Sequence, residues 1–396
     1  MSIKKIHHIS NIVKHPQENI DFYSGMLGLR LIKKAVNFDS ANTYHFYYGN
    51  HQADLGTIIT SFPLGRDTKD GQIGGGMTSS TYYIIPKGSF NFWLERLTSF
   101  KIKTSIIERF GKKHLVFYDY LGIKSELVES DRGITNLHEF NGVTSNNAIK
   151  GFYGAELYST KPEATKDFFI NFLDAKLKIE SPDHYRLSYN SDIAGFIDIS
   201  RETKERGQLS KGTVHHIAFE IDTLDNLVLL EKRLNSEGFK SSGIKDRYFF
   251  NALYVKEPGG IIIEISTTKP GFNIDETDNQ ASDLFLPKHF EHLREKLELE
   301  LTPVFVRAVY ELKKYHYEGK EEYHIYERHQ FLLRRINELA KINKERELTK
   351  DETEERKALR AEYVNNIKGN LSSLTSNIEY VDAFGHINKL NNKGAN

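Results

Sequence analysis

The chain has 396 residues, long enough for two or three domains. Its 54 Lys+Arg balance 54 Asp+Glu, so the net charge gives no reason to expect nucleic acid or another polyanion as partner. There is no cysteine, which excludes disulfides and thiolate metal ligands and suits a reducing, cytoplasmic setting; no apolar stretch is long enough to span a bilayer, and no signal-peptide core is expected at the N-terminus.

In chain order, residues 6–13 read as an apolar strand carrying His7 and His8. Residues 16–27 read as a helix, with Ile20, Phe22, Tyr23 and Leu27 as its apolar positions and Gly28 as its stop. Strands follow at 29–37, 43–48 and 57–62. A second unit has a strand at 79–85, a helix near 89–100, and strands at 114–118 and 125–128. A third has a strand at 151–159, a helix at 162–173 and an ending near 195–200. The fourth has a strand at 213–221, a helix at 224–238, and apolar runs at 252–255 and 261–265. Between those runs lies the turn Glu257-Pro258-Gly259-Gly260. Four β-α-β-β-β units account for the chain to about residue 268, a repeat clearer in pattern than in identity.

Two strands carry paired imidazoles in the same setting, Ile6-His7-His8-Ile9 and Val214-His215-His216-Ile217. Glu264 interrupts an apolar run, where an ionised carboxylate needs a partner or a metal. Each residue alone has a plain structural explanation; the set points to metal binding. Strand alternation favours one ligand per His pair, leaving His7 and His215 with structural or supporting roles.

The run Gln17-Glu18-Asn19-Ile20-Asp21-Phe22-Tyr23 up to Gly28, after a His-bearing strand, resembles the opening of the vicinal oxygen chelate superfamily. That superfamily includes glyoxalase I, extradiol dioxygenases and bleomycin-resistance proteins. Further segments are Lys33 to Phe38, Thr43 to Gly49, Val214 to Phe219 and Asp246 to Phe249. They sharpen the likeness to four-module, hydroquinone-type ring-cleaving dioxygenases over nearly all of residues 1–275. The resemblance implies an α+β fold of four βαβββ modules in two cupped mixed β-sheets, with a C-terminal α-helical extension. It implies module pairs at 1–132 and 149–275. It assigns the metal to His8, His216 and Glu264, with Fe(II) as the fitting ion and Mn(II), Zn(II) or Ni(II) as alternatives.

The same resemblance implies a small aromatic diol and O2 as reactants and makes His45 the acid–base candidate, in a Tyr-rich strand of a metal-bearing module. Tyr254 matches the tyrosine of the extradiol signature that ends in Glu264. Arg247 is read either as an anchor for an anionic substrate group or as half of a buried ion pair. Two departures matter. Tyr153 stands where the third module's His is expected, and the signature's His before Leu253-Tyr254 is missing. Modules one and four are therefore expected to share the metal cup, with modules two and three forming a cup without one. The leading reading is an Fe(II)-dependent extradiol-type dioxygenase of hydroquinone or catechol, in quinone detoxification. The alternatives are a metal-dependent isomerase or lyase of glyoxalase type and a non-catalytic binder of aromatics or antibiotics.

Residues 276–328 are expected as a helical linker. Leu332, Leu333, Ile336, Leu339 and Ala340 form one apolar stripe, and Leu359, Tyr363, Ile367, Leu371 and Leu374 another; Thr349 to Glu352 has capping-box form. The segment 329–380 resembles the small YnzC-like helical-hairpin proteins, a family of unclear function; its charged helices read as a solvated packing element, with oligomerisation or partner binding as the rival reading. Residues 381–396 are expected to be disordered.

Overall fold

The computed structural model describes residues 2–65, 68–273, 283–308, 321–376, 379–381 and 387–389, in two compact units, Met1–Lys313 and Lys314–Asn396. The first unit opens with β1 (Ile3–Val13), α1 (Pro16–Ile20), β2 (Arg30–Asn37), β3 (Ser40–Gly49) and β4 (Ile58–Pro63). The second module is β5 (Met77–Ile85), α2 (Phe90–Ser99), β6 (Thr104–Arg109), β7 (Lys112–Tyr118) and β8 (Lys124–Glu129). The third is β9 (Gly151–Tyr158), α3 (Pro162–Phe172), β10 (Lys176–Glu180), β11 (His184–Ser188) and β12 (Phe196–Ser200). The fourth is β13 (Thr213–Ile221), α4 (Leu224–Ser236), β14 (Lys245–Asp246), β15 (Phe250–Lys256) and β16 (Ile262–Pro270).

These strands build two cupped mixed sheets. One runs β14-β15-β16-β13-β1-β4-β3-β2 and joins modules four and one; the other runs β10-β11-β12-β9-β5-β8-β7-β6 and joins three and two. The seam in each is antiparallel, β1 against β13 and β5 against β9, while each module's own strands include a parallel pair. Neither stretch 1–132 nor 149–275 completes a sheet alone, as the distribution of histidines required. The seam strands are almost wholly buried on both faces although they carry many polar residues, and Ile6, Ile9, Ile217 and Phe219 are fully enclosed.

The helices bury the stripes that the sequence offers. In α4 these are Leu227, Leu230 and Leu234, and its first turn is capped by Thr223 accepting from the Asn226 N–H. Pro16 starts α1, where the imidazole of His15 accepts from the Gln17 and Glu18 amides. The expected helix 16–27 does not stay regular. Asp21–Met26 widens into a π-type turn, with the Leu27 N–H reaching Phe22 O at 2.9 Å, and every residue of that turn is buried. Strands β6, β10 and β11 have no counterpart among the expected elements. The run Lys176-Leu177-Lys178-Ile179-Glu180 of β10 alternates charged and apolar residues as a strand does, and the whole of it is exposed at a sheet edge.

The expected helical linker is only partly helical. Leu284–Phe285 (β17) extends the first sheet beside β2. A short 3-10 turn, Lys288–Leu293, leads into α5 (Arg294–Glu300). Residues 301–308 then strap back onto the first module. The Gln17 side-chain amide donates to Phe305 O and accepts from Phe305 N at 2.7 and 2.9 Å, and the Tyr44 hydroxyl donates to Thr302 O. Residues 274–282 and 309–320 lie outside the described residues.

The second unit holds two helices, α6 (Glu321–Glu345) and α7 (Lys350–Ser376), joined by a short turn. Leu332, Leu339, Leu359 and Tyr363 pack together between them, and Arg335 makes a bidentate bond to Glu355. The capping box forms reciprocally: Thr349 N donates to the Glu352 carboxylate, and Glu352 N donates to Thr349 Oγ1. Part of the tail expected to be disordered pairs as a ribbon, β18 (Glu379–Val381) against β19 (Ile387–Lys389); residues 382–386 and 390–396 lie outside the described residues.

Candidate metal centre

The register of the seam between β1 and β13 sets the site. Ile6 faces Phe219 and His8 faces Ala218, so His7 is an extra residue on β1. Ser10 faces His216 and Asn11 faces Val214, so His215 is an extra residue on β13. Each is a β-bulge, which breaks the alternation that would send neighbouring side chains to opposite faces. In each pair the two rings therefore touch, with Nδ1 to Nδ1 distances of 2.8 Å for His7–His8 and 2.7 Å for His215–His216. The expectation that strand alternation separates the members of each pair is corrected on this point.

The two second imidazoles turn their Nε2 atoms toward each other, 3.3 Å apart. Glu264, on β16 and in register with Ala218, places Oε2 at 2.8 Å from His216 Nε2 and 3.5 Å from His8 Nε2. Among the described residues these three are the one group of His, Cys, Asp or Glu close enough to share a cation, and all three are buried. Glu264 Oε1 accepts from Ser266 Oγ at 2.6 Å, whereas the enclosed Oε2 has no hydrogen bond of acceptable geometry. Metal–ligand bonds of about 2.1 Å meeting near a right angle place neighbouring donor atoms about 3.0 Å apart, close to this triangle. The donor set therefore fits a divalent ion: two imidazoles, one carboxylate, and the carboxylate lone pair otherwise unmatched in a dry setting. Burial pushes the Glu264 carboxyl up, but His8 and His216 outweigh it and hold the group well below the ordinary carboxylate range. Burial leads the downward shift of His216, which favours the neutral ring a metal requires.

The triad forms part of the wall of a cavity of about 370 Å³ that also takes in His45, Tyr254, Arg247 and His215. All the residues singled out in the sequence thus come together. The cavity walls include Phe38, Phe62 and Phe250, flat apolar surfaces suited to an aromatic ring. His45 is not a solvent-facing strand residue: burial, then the nearby His8 and His216, push it down to about 3, so it is neutral at physiological pH. Its Nδ1 is 2.9 Å from Tyr47 Oη and its Nε2 is 3.0 Å from Thr60 Oγ1, which is 2.6 Å from Ser10 Oγ. Tyr254 lies directly across from Glu264 in the β15–β16 ladder, edge-on to His216, and burial raises its hydroxyl well above the usual tyrosine range. Arg247 makes a bidentate bond to Asp39 at 3.2 and 3.0 Å, which favours its charge although burial opposes it. His215 is the cavity residue that the alternation argument set aside; the doubled His pair was its one sequence signal.

The other cup shows what the same positions do without a triad. Glu126 on β8 is in register with Tyr82 as Glu264 is with Ala218, and bulges recur at Ser79 and Tyr153. Ser80 stands where His216 does, and Gly154, not Tyr153, occupies the place of His8. A Cβ at Gly154 would lie 2.3 Å from Phe196 O, so no imidazole fits there. The carboxylates of Glu126 and Glu156 are instead matched by Arg109, Lys124, His114 and His184. Glu126 stays below the ordinary carboxylate range because His114 and Arg109 outweigh the upward push of burial.

Comparison with known proteins agrees with this picture. The model of the Glyoxalase/Bleomycin resistance protein/Dioxygenase superfamily matches residues 5–84 and 154–265, and that of a bacterial family of unknown function, DUF896, matches residues 331–390. The "Putative ring-cleaving dioxygenase MhqO" of Bacillus subtilis is 42% identical over 305 residues, 77% of this chain and 97% of that protein. The chlorohydroquinone/hydroquinone 1,2-dioxygenase of Sphingobium indicum is 30% identical, covering 74% of this chain and 95% of that protein. The crystal structure of a "putative dioxygenase from Bacillus subtilis" superposes with a TM-score of 0.75 at 41% identity, covering 78% of this chain and 99% of that one. No described helix is long and apolar enough to cross a membrane.

Proposed function

Because this chain belongs to the glyoxalase, bleomycin-resistance and dioxygenase superfamily, we propose that it is a ring-cleaving dioxygenase that uses Fe(II) and O2 on a hydroquinone or catechol, in quinone detoxification. The observation that carries this reading is the buried triad of His8, His216 and Glu264 in the wall of an aromatic-lined cavity. The names borne by the relatives support it.

His8, His216 and Glu264 would hold the metal at the cavity wall. Fe(II) there supplies Lewis acidity for a diol oxygen and redox access to O2. The protein's own groups do the rest. Phe62 and Phe250 bracket the substrate ring and exclude water. Neutral His45 is the acid–base group: it takes a substrate proton at a ring nitrogen that gives up its contact with Tyr47 or Thr60, and the negative charge left on the diol offsets the burial that disfavours its imidazolium. The Tyr254 hydroxyl, protonated at any physiological pH, donates to an oxygen beside Glu264. Arg247, clamped by Asp39, keeps a neutral ion pair on the cavity wall.

The test is anaerobic purification with metal analysis, followed by oxygen-electrode assays with hydroquinone, 2-methylhydroquinone and catechol. One equivalent of iron and stoichiometric O2 uptake are expected. A metal-loaded protein that consumes no O2 but isomerises a hemithioacetal would move the assignment to the glyoxalase type.

A further inference from the structure

We propose that His7 and His215 are positioning residues that fix the tautomer and tilt of the metal-binding imidazoles beside them, and that His215 in consequence presents an Nε2–H donor to the substrate. This rests on the reading of His8, His216 and Glu264 as the metal ligands.

The argument is one of donors and acceptors. A histidine that ligates through Nε2 carries its proton on Nδ1, and that N–H needs an acceptor. In metal–histidine sites the acceptor is ordinarily a carboxylate, a carbonyl or water. Here it is a second imidazole, twice. His8 Nδ1 is 2.8 Å from His7 Nδ1, and His216 Nδ1 is 2.7 Å from His215 Nδ1. The rings of each pair stand nearly perpendicular, at 73° and 79°, as expected when the N–H of one aims at the in-plane lone pair of the other. Both contacts depend on the bulges, because a regular strand would hold adjacent side chains apart. The same two bulges recur at Ser79 and Tyr153 in the other cup, so they belong to the fold; what is particular to this seam is that both bulged positions carry an imidazole, each in contact with the one beside it.

Accepting at Nδ1 obliges His7 and His215 to carry their own protons on Nε2. The consequences differ. His7 is enclosed behind His8, against Phe250 and Phe272, and its Nε2 has no hydrogen-bond partner among the described residues. His215 lines the cavity, edge-on to Phe62. Its remaining nitrogen is then a donor, and one that becomes stronger when His216 binds a cation, because the charge polarises the chain of N–H bonds. An oxygen of a bound diol is the acceptor available to it.

The test uses three substitutions at each position in the full-length protein. Asparagine places its Oδ1 where Nδ1 was but has nothing at Nε2. Glutamine puts its amide near the Nε2 position and leaves the Nδ1 place empty. Leucine removes both. Apo-protein is titrated with Co(II) against a competing chelator. H7Q, H7L, H215Q and H215L are expected to lose about 10–100-fold in affinity, whereas H7N and H215N stay within about threefold of wild type. Hydroquinone binding to the Zn(II)-loaded protein is measured second: H215N loses about tenfold, and H7N is unchanged. Failure of the leucine variants to fold leaves the Gln–Asn contrast to decide. If wild type binds metal and the Gln variants bind it equally well, the positioning role is overturned and the triad stands. If H215N binds hydroquinone as tightly as wild type, the donor role is overturned. If wild type binds no Co(II), it is the triad itself that fails.

Discussion

Replacing Asp39 with Asn should change which charge of substrate the cavity favours. Arg247 lines the cavity and its guanidinium is held by Asp39 through two bonds of 3.2 and 3.0 Å. The carboxylate neutralises the cation, so the wild-type cavity has little reason to prefer an anionic ring. Asparagine preserves a hydrogen-bond acceptor at the same place and removes the charge. Two unit charges 4 Å apart interact by about 4 kcal/mol at an effective dielectric near 20. The Asp39 side chain is 72% exposed against 15% for Arg247, so solvent screens much of that. About 1.4 kcal/mol, or tenfold in affinity, is a reasonable share for a ligand carboxylate entering the same field. Zn(II)-loaded wild type and D39N are titrated anaerobically with hydroquinone and with 2,5-dihydroxybenzoate. The carboxylated ligand should gain about tenfold in D39N, an effect that shrinks at high salt, while hydroquinone shifts less than about twofold. Equal shifts for both ligands, or none for either, would refute the idea that Asp39 sets the cavity's charge.

Glu264→Gln preserves volume and removes the charge, and should lower bound metal from about one equivalent to less than about a tenth by elemental analysis. Free metal at about 100 times its Kd should stabilise wild type by about 2.7 kcal/mol in denaturant unfolding, and E264Q by nothing measurable. Asp119, in the β7–β8 turn, is pushed up to about 6 by burial, although its Oδ1 accepts from the Leu121 and Ile123 amides. A carboxyl raised in the folded state stabilises fully below its unfolded value near 3.9, and that contribution disappears as pH climbs through about 6. The difference in urea midpoint between wild type and D119N should therefore change between pH 5 and pH 7 and be flat above it; a constant difference would remove the assignment. In the second unit, Leu339→Ala opens the buried contact between the helices and should cost about 2–4 kcal/mol, read as early loss of helical signal, with Co(II) affinity unchanged.

The sequence carried the fold where side-chain pattern and strand geometry agree. The strands around His8 and His216 set apolar residues on either side of each His pair, so their extent was evident, as were the helices whose stripes face a sheet. The triad came from resemblance in motif order, and the need to pair modules one and four came from the missing third-module His. What escaped has physical causes. Edge strand β10 does alternate charged and apolar residues, but its five residues are too short a run to stand out, and all of them are exposed. His215 was set aside because alternation presumes a regular ladder, and a one-residue bulge leaves no mark in composition. The bond between Arg247 and Asp39 joins segments 208 positions apart, and nothing local announces it.

That separation recurs at the centre itself, and it bears on how the site comes into being. His8 and His216 are also 208 positions apart, and they meet only when β1 and β13 pair, which closes a loop containing both intervening modules. The entropy of closing such a loop grows only slowly with its length, so the distance itself is affordable. The difficulty lies in bringing two imidazoles and a carboxylate into a dry seam before an ion arrives. The bulges reduce it, since each ligand ring meets a neighbouring imidazole at once, within its own strand. The second cup meets the same burden differently, by setting Arg109 and Lys124 against Glu126 and Glu156, and it closes without needing a cation from solution. One cup therefore completes itself with its own side chains, while the seam of the other gathers His8, His216 and Glu264 into a buried group that a cation would complete.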